Sequence, residues 1–153
     1  MMFSIEQALQ RCGVAAQIQH LDSSTRSVAD AARTIGCAEG QIGKSIIFRG
    51  LQSRQAILVV ACGTNRVDEQ RLAAAAGEEV ELAGADFVRQ ETGYVIGGVP
   101  PIGHRQPIRT FLDTDLLQFE QVFVAAGTPR SIIQLSRKQL LDLLPDAIQT
   151  AVT

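Results

Sequence analysis

Tryptophan is absent, and aromatic residues make up only 5% of the 153-residue chain. A core must therefore be built from Val, Ile, Leu and Ala. An excess of positive charge is missing too: 14 Lys and Arg stand against 16 Asp and Glu, a formal net charge of −2. That balance excludes a basic coat for nucleic acid, and DNA is not expected as a partner. Any RNA contact has to be local, made by a few cations in a pocket or on its rim. Cysteine is sparse. Cys12, Cys37 and Cys62 lie far apart, with no C-x-x-C and no Cys–His cluster. Neither a zinc site nor a disulfide framework is implied, no metal is expected, and the three are expected to be buried small apolar residues. No apolar run approaches the roughly 20 residues that span a bilayer. Met1 to Gln10 carries acid and Gln where a signal peptide has a basic and then an apolar stretch. The expectation is a soluble cytoplasmic protein without a membrane partner.

Hydrophobic residues, at 46% against 20% charged, are enough to fill a core. The length suits one ordinary domain over residues 1–153, and no repeat, low-complexity tract or linker interrupts it.

Helix and strand signals alternate along the chain. Ser4-Ile5-Glu6-Gln7 has the form of a capping box, with Ile5, Ala8, Leu9 and Cys12 on one helical face and Gly13 as the stop. An extended stretch from Ala15 to Leu21 follows, then an Ala-rich helix from Ser27 closed by Gly36. Ser45 to Arg49 and Ala56 to Cys62 are short, β-branched-rich runs linked by Gly50 to Arg54, the pattern of adjacent buried strands. Asp68 caps a helix ended by Gly77. Val80 to Leu82 is a brief strand, and Gly84 to Glu91 a short helix. Arg109 to Leu112, Gln121 to Ala125 and Ile132 to Leu135 are strands, and a capping box at Ser136 to Gln139 opens a last helix through Leu144. The order predicts an α/β or α+β fold with a mixed central sheet flanked by helices. Only Gly93 to Pro107, crowded with Gly and Pro, forms a long irregular segment, and irregular loops on a rigid scaffold are where sites sit.

Gly43-Lys44-Ser45 invites a phosphate-loop reading that fails twice. Ala38 stands where that motif needs its first glycine, and Lys44 leads into Ile46-Ile47-Phe48, a strand pattern, where the motif needs a helix N-terminus. Lys44 is then either a solvated lysine at a strand start or a cation at a pocket mouth. The segment from Gly93 to His104 is either a structural turn or a stiff loop that presents peptide N–H groups to a developing oxyanion. His104 could act as a base, a ligand or a surface histidine; no carboxylate partner is visible beside it. No G-x-S-x-G elbow or Ser–His–Asp triad appears. Asp113 and Asp115 fit turn or cap residues better than paired carboxylates.

In order along the chain come Lys44 before an apolar strand, the loop Gly97-Gly98-Val99-Pro100-Pro101, and Ala126-Gly127-Thr128-Pro129 followed by strand and helix. This ordered set, with the Ala-rich helix of Ser27 to Gly36, resembles the YbaK/EbsC editing domains, which are related to the insertion domain of bacterial prolyl-tRNA synthetases. The likeness runs from about Ile5 to Leu144. It implies a mixed sheet with flanking helices and a free-standing aminoacyl-tRNA deacylase that hydrolyses the ester of mischarged tRNA, with no cofactor. Lys44 matches the lysine that helps hold the tRNA 3′ end, and Gly97 to Pro101 match the family's GxxxP loop, which positions the aminoacyl group through its backbone. Ile102, Gly103 and His104 follow that loop on the substrate side. Asp113 and Gly127 match recurrent positions that shape structure or pocket. The implied partner is the acceptor end of an aminoacyl-tRNA, with room for an aminoacyl-tRNA synthetase. Two other readings stay open: a non-catalytic module that binds an amino acid or aminoacyl-tRNA beside a synthetase, and a hydrolase of free aminoacyl esters.

Overall fold

The computed structural model describes residues 4–22 and 27–153; Met1, Met2 and Phe3 of the amino-terminal stretch lie outside them. Continuous apolar runs put the centre of the fold in two neighbouring strands, β2 (Ile42–Gly50) and β3 (Ala56–Cys62), paired antiparallel from Gly43↔Cys62 to Arg49↔Ala56. All seven residues of β3 are buried. The remaining strands are β1 (Ile18–His20), β4 (Val80–Leu82), β5 (Arg109–Asp113), β6 (Gln121–Ala125), β7 (Ser131–Ser136) and β8 (Ile148–Thr150). They run in the order β1-β7-β6-β2-β3-β5-β8, with β4 added to β2 off this path. Parallel pairs (β2 with β6, β3 with β5, β5 with β8) mix with antiparallel ones, so the sheet is mixed as expected.

Alternate residues of the central strands feed two layers. Ile47, Leu58, Val60 and Leu112 pack under Leu9 of α1 (Ile5–Arg11), Val88 of α4 (Ala85–Thr92) and Leu140 of α5 (Arg137–Leu143). Phe48, Ile57, Val59 and Phe111 face the other way, toward Leu72 of α3 (Glu69–Ala76). Ile42, Phe123 and Ile132 on that side meet Ala31 and Ala32 of α2 (Val28–Ile35). None of these helices is long and apolar enough to cross a membrane.

Local signals and structure part in three places. β2 begins at Ile42, so Lys44 is its third residue and not a residue ahead of it. Gly43 allows this, because it sits against side chains of Leu116, Val124 and Val60 where a larger residue would crowd them. The short edge strand β8 lies in a tail without an apolar run. The expectation of three buried cysteines is corrected for Cys12. Cys62 is buried and Cys37 partly so, but Cys12 caps the end of α1 and is exposed where the chain turns away at Gly13.

Candidate functional site

β2 changes partner along one edge. Ile42 and Gly43 pair with Phe123 and Val124 of β6, whereas Phe48, Arg49 and Gly50 pair with β4. Between these pairings the sheet opens as a notch beside Lys44, Ser45 and Ile46. Backbone groups of odd-numbered residues point to this edge, as the Ile47 carbonyl does when it accepts from Ala83 N–H at 3.0 Å. Strand alternation turns the Ser45 N–H and C=O the same way, into the notch.

Different elements close the notch on its two sides. Ser27, Val28, Ala31 and Ile35 of the α2 region cover one face, and Ile96, Gly97 and Val99 of the irregular loop cover the other. With Lys44, Ser45 and Phe123 they line a cavity of about 220 Å³. Lys44 shares its face of β2 with Ile46 and Phe48, while Val99 belongs to the core on the opposite face. The notch is what lets a cation from one face and a loop from the other reach a common space. Burial pushes the Lys44 ammonium below the ordinary lysine range of 10.5, and the neighbouring Cys62 and Asp113 oppose that shift.

The loop is held by its own polar contacts. Thr92 Oγ1 donates to the Val88 carbonyl at 2.7 Å and accepts from Tyr94 N–H at 3.0 Å. The Tyr94 hydroxyl donates to the Gly103 carbonyl at 3.0 Å. His104 donates from Nε2 to the Pro100 carbonyl at 2.7 Å, which fixes the tautomer, and its ring meets the Tyr94 ring edge-on. Gly97 adopts φ +90°, a conformation that favours glycine. Gly98 passes close to the turn after β6: a Cβ there would stand 2.8 Å from Thr128 backbone atoms. Its carbonyl accepts from Gly127 N–H at 3.0 Å, and its N–H donates to Val95 at 3.0 Å. Among the described residues, the backbone groups of Gly97 and Val99 make no hydrogen bond to the protein. The Gly97 and Val99 peptide groups are thus unpaired within the described residues, on a braced loop that lines the cavity.

Of the residues singled out from sequence, Lys44, Gly97 and Val99 line this cavity. Gly98 ties the loop to Gly127, and Pro100 is the acceptor for His104. Pro101, Ile102, Gly103 and His104 line a separate cleft of about 620 Å³ near Arg11 and Leu143. Asp113 is fully buried and lines neither space. Its carboxylate accepts from Cys62 N–H at 2.9 Å, from Asn65 Nδ2 at 2.9 Å and from Asp115 N–H at 3.0 Å, so it fastens the end of β3 to the turn after β5. Among the described residues, no three His, Cys, Asp or Glu side chains gather to hold a metal ion.

Sequence reasoning passed over Ser45. Its Oγ is buried and without a hydrogen-bond partner. It lines both the main cavity and an adjoining recess of about 150 Å³ walled by Ile47, Ala83, Val88 and Val99. The one local hint was a hydroxyl inside an apolar strand run.

The arrangement suits a ligand with an anionic part near Lys44 and a polarised carbonyl near the loop. The profile of the aminoacyl-tRNA editing domain family matches residues 22–143. The chain is 35% identical over 123 residues to the protein YwhH of Bacillus subtilis, covering 80% of this chain and 78% of that one. It is 29% identical over 118 residues to an Enterococcus faecalis protein named "Putative Cys-tRNA(Pro)/Cys-tRNA(Cys) deacylase EbsC", covering 76% and 71%. Among solved structures, the one titled "Crystal structure of a putative trans-editing enzyme for prolyl tRNA synthetase" superposes with a TM-score of 0.90 and 36% identity, over 97% of this chain and 94% of that one.

Proposed function

We propose that this chain, which belongs to the aminoacyl-tRNA editing domain family, is a free-standing deacylase that hydrolyses the ester of mischarged tRNA. The observation that carries the reading is the notch, where Lys44 and the free backbone groups of Gly97 and Val99 share one cavity. Lys44 holds an anionic group of the tRNA 3′ end. The loop N–H groups receive the carbonyl oxygen as it gains charge, and donors already in place do this without reorganising. Water attacks the carbonyl carbon, the ester C–O bond breaks, and the ribose oxygen leaves with a proton. An aminoacyl ester is reactive enough that alignment and oxyanion stabilisation supply most of the acceleration, so no protein base is required. The acidic balance of the chain fits a domain that reads only the acceptor end.

The direct test is deacylation of a panel of mischarged tRNAs, with and without EDTA. Release of free amino acid is expected in both arms, because among the described residues no cluster of metal-ligating side chains lies at the site. Loss with EDTA and recovery with added zinc would overturn the metal-free mechanism. Tight binding of charged tRNA without turnover would replace the deacylase reading with that of a binding module.

His104 acts in this scheme as a positioning residue. It braces Pro100 through one hydrogen bond, so His104→Ala is expected to slow deacylation by about tenfold or less. Burial holds its imidazole below the ordinary value of 6.5, opposed in part by the bond to the Pro100 carbonyl. A histidine kept neutral in the fold contributes stability that is fully present above its unfolded value and is lost as pH falls through the folded one. The wild type is therefore expected to lose melting temperature below about pH 6.5, and His104→Gln to show a shallower dependence over the same range. Identical pH–melting profiles, or a rate loss as large as that of Lys44→Ala, would refute the positioning role.

A further inference from the structure

Along the open edge of β2, the residues whose backbone groups point outward are Gly43, Ser45, Ile47 and Arg49. Gly43 pairs with Val124 of β6, Arg49 pairs with Glu81 of β4, and the Ile47 carbonyl accepts from Ala83 N–H at 3.0 Å. Of these four, Ser45 alone has neither its N–H nor its C=O in a backbone hydrogen bond. The gap in the edge is therefore one residue long. Ser45 is partly exposed although its Oγ is buried, so its accessible surface belongs to Cβ and the main chain. It lines the cavity beside Lys44 and Gly97.

An unpaired peptide edge defines the ligand that completes it. In an antiparallel hydrogen-bonded pair, the N–H and C=O of one residue exchange both bonds with the C=O and N–H of the residue opposite. An α-aminoacyl ester carries the same groups in the same order as a peptide residue: a nitrogen with donors, one carbon, then a carbonyl. Among the described residues that line the cavity there is no Asp or Glu to receive an α-ammonium. Peptide carbonyls are what the site offers it, and an ionised donor makes the stronger hydrogen bond. A longer peptide has no room to pair, because β6 and β4 occupy the edge on either side of Ser45.

We propose that the aminoacyl residue docks on Ser45 as a one-residue strand: the Ser45 C=O accepts from the α-ammonium, and the Ser45 N–H donates to the ester carbonyl oxygen. The inference rests on the deacylase reading and adds two main-chain contacts to it. As water adds to the carbonyl carbon, the carbonyl oxygen takes up an electron pair. It returns that pair when the bond to the ribose oxygen breaks, and the ribose oxygen leaves with a proton from the water. The Ser45 N–H keeps its own proton and donates throughout, a second donor to the oxyanion beside the loop. Ser45 is on this account a catalytic residue through its backbone, and the substrate class is an ester with a free α-amino group.

The experiment measures kcat and KM on one tRNA carrying three acyl groups: the amino acid that wild type releases fastest, its α-hydroxy analogue and its deamino analogue. Each rate is divided by the uncatalysed hydrolysis rate of the same ester, since an α-ammonium itself activates the carbonyl. Wild type is expected to lose about tenfold in kcat/KM with the hydroxy analogue, which exchanges a charged donor for a neutral one. The deamino analogue has no donor, and a loss of about a hundredfold is expected. Ser45→Pro removes the N–H at a position where the ladder does not use it, whereas Ser45→Ala keeps both backbone groups. The kcat of Ser45→Pro is expected to lie about a hundredfold below that of Ser45→Ala, the scale of one oxyanion donor, and thermal melting checks that both are folded. Equal normalised rates on the three esters, or equal kcat in folded Ser45→Pro and Ser45→Ala, would each overturn the assignment while leaving the deacylase reading intact. Should Ser45→Pro not fold, the three esters on wild type decide alone. Failure of wild type to cleave any ester would instead overturn the deacylase reading, and this one with it.

Discussion

Lys44→Ala is expected to cut deacylation by about a hundredfold or more, the scale seen when one preorganised electrostatic contact is removed from an active site. Folding should hardly register the change. Lys44 is already drawn below its ordinary protonation range by burial, so its removal relieves a desolvation cost, and Asp113 nearby keeps its three hydrogen bonds. Lys44→Arg retains charge but exchanges a compact ammonium for a broad planar fork, and only partial recovery is expected in a cavity of about 220 Å³. Binding of tRNA carries an independent signature. Each cation that neutralises a phosphate adds to the slope of log affinity against log salt, so the mutant slope should be shallower by about 0.7 to 0.9. Binding to wild type should also weaken as pH rises, since the charged form is lost through a folded-state pKa lying below 10.5. The measurements are single-turnover deacylation, binding against salt and pH, and thermal melting for the three proteins. Equal activity in wild type and Lys44→Ala would leave Lys44 as a strand lysine without a part in the chemistry.

Much of this scaffold could be read one segment at a time. Ala56–Cys62, Val80–Leu82 and Gln121–Ala125 form strands with the bounds that their apolar runs suggest. Both capping boxes form, Ser4 with Gln7 and Ser136 with Gln139, because each needs only residues three apart. The irregular character of the loop after Gly93 follows from its own Gly and Pro. The site could not be read this way, because it depends on a gap between strands. β2 meets β6 through Gly43↔Val124 and β4 through Phe48↔Leu82, and nothing in residues 42–50 signals where one partner gives way to the other. The notch sets the surroundings of Lys44 and leaves the Ser45 backbone groups without a strand partner, so both lay beyond local patterns. His104 is similar. Its partner is a carbonyl four residues earlier, a contact made by the fold of the loop and not by any residue-type pairing that a search for carboxylates would find.

Asp113→Ala is expected to produce the largest loss of stability among the substitutions considered. The carboxylate is 0% exposed and accepts from Cys62 N–H, Asn65 Nδ2 and Asp115 N–H, each at 2.9 to 3.0 Å. Hydrogen bonds to a charged group contribute about 1.5 to 3 kcal/mol each, and a buried N–H left without a partner costs about 1 to 3 kcal/mol. Asn65 can fall back on Asp115, to which it already donates at 2.7 Å, but the buried Cys62 N–H has no such alternative. A net loss of about 3 kcal/mol follows, equivalent to a fall in melting temperature of roughly 10 °C for a chain of this size. Asp113→Asn keeps one carbonyl oxygen for Cys62 and Asn65, which share Oδ2, but turns an NH₂ toward Asp115 N–H, donor against donor, and should fall between wild type and Asp113→Ala. The charge has a second effect that melting alone does not report. Asp113 opposes the downward shift of Lys44, so its removal should lower the Lys44 pKa further and bring the alkaline loss of tRNA binding to lower pH. Asp113→Asn separates the two roles, because it gives up the whole charge and only part of the hydrogen bonding. A binding profile shifted to lower pH in both variants, with melting lowered more in Asp113→Ala, would show one buried carboxylate fastening β3 to β5 and sustaining the charge on Lys44. Melting unchanged in Asp113→Ala would contradict the first role, and an unshifted profile in Asp113→Asn the second.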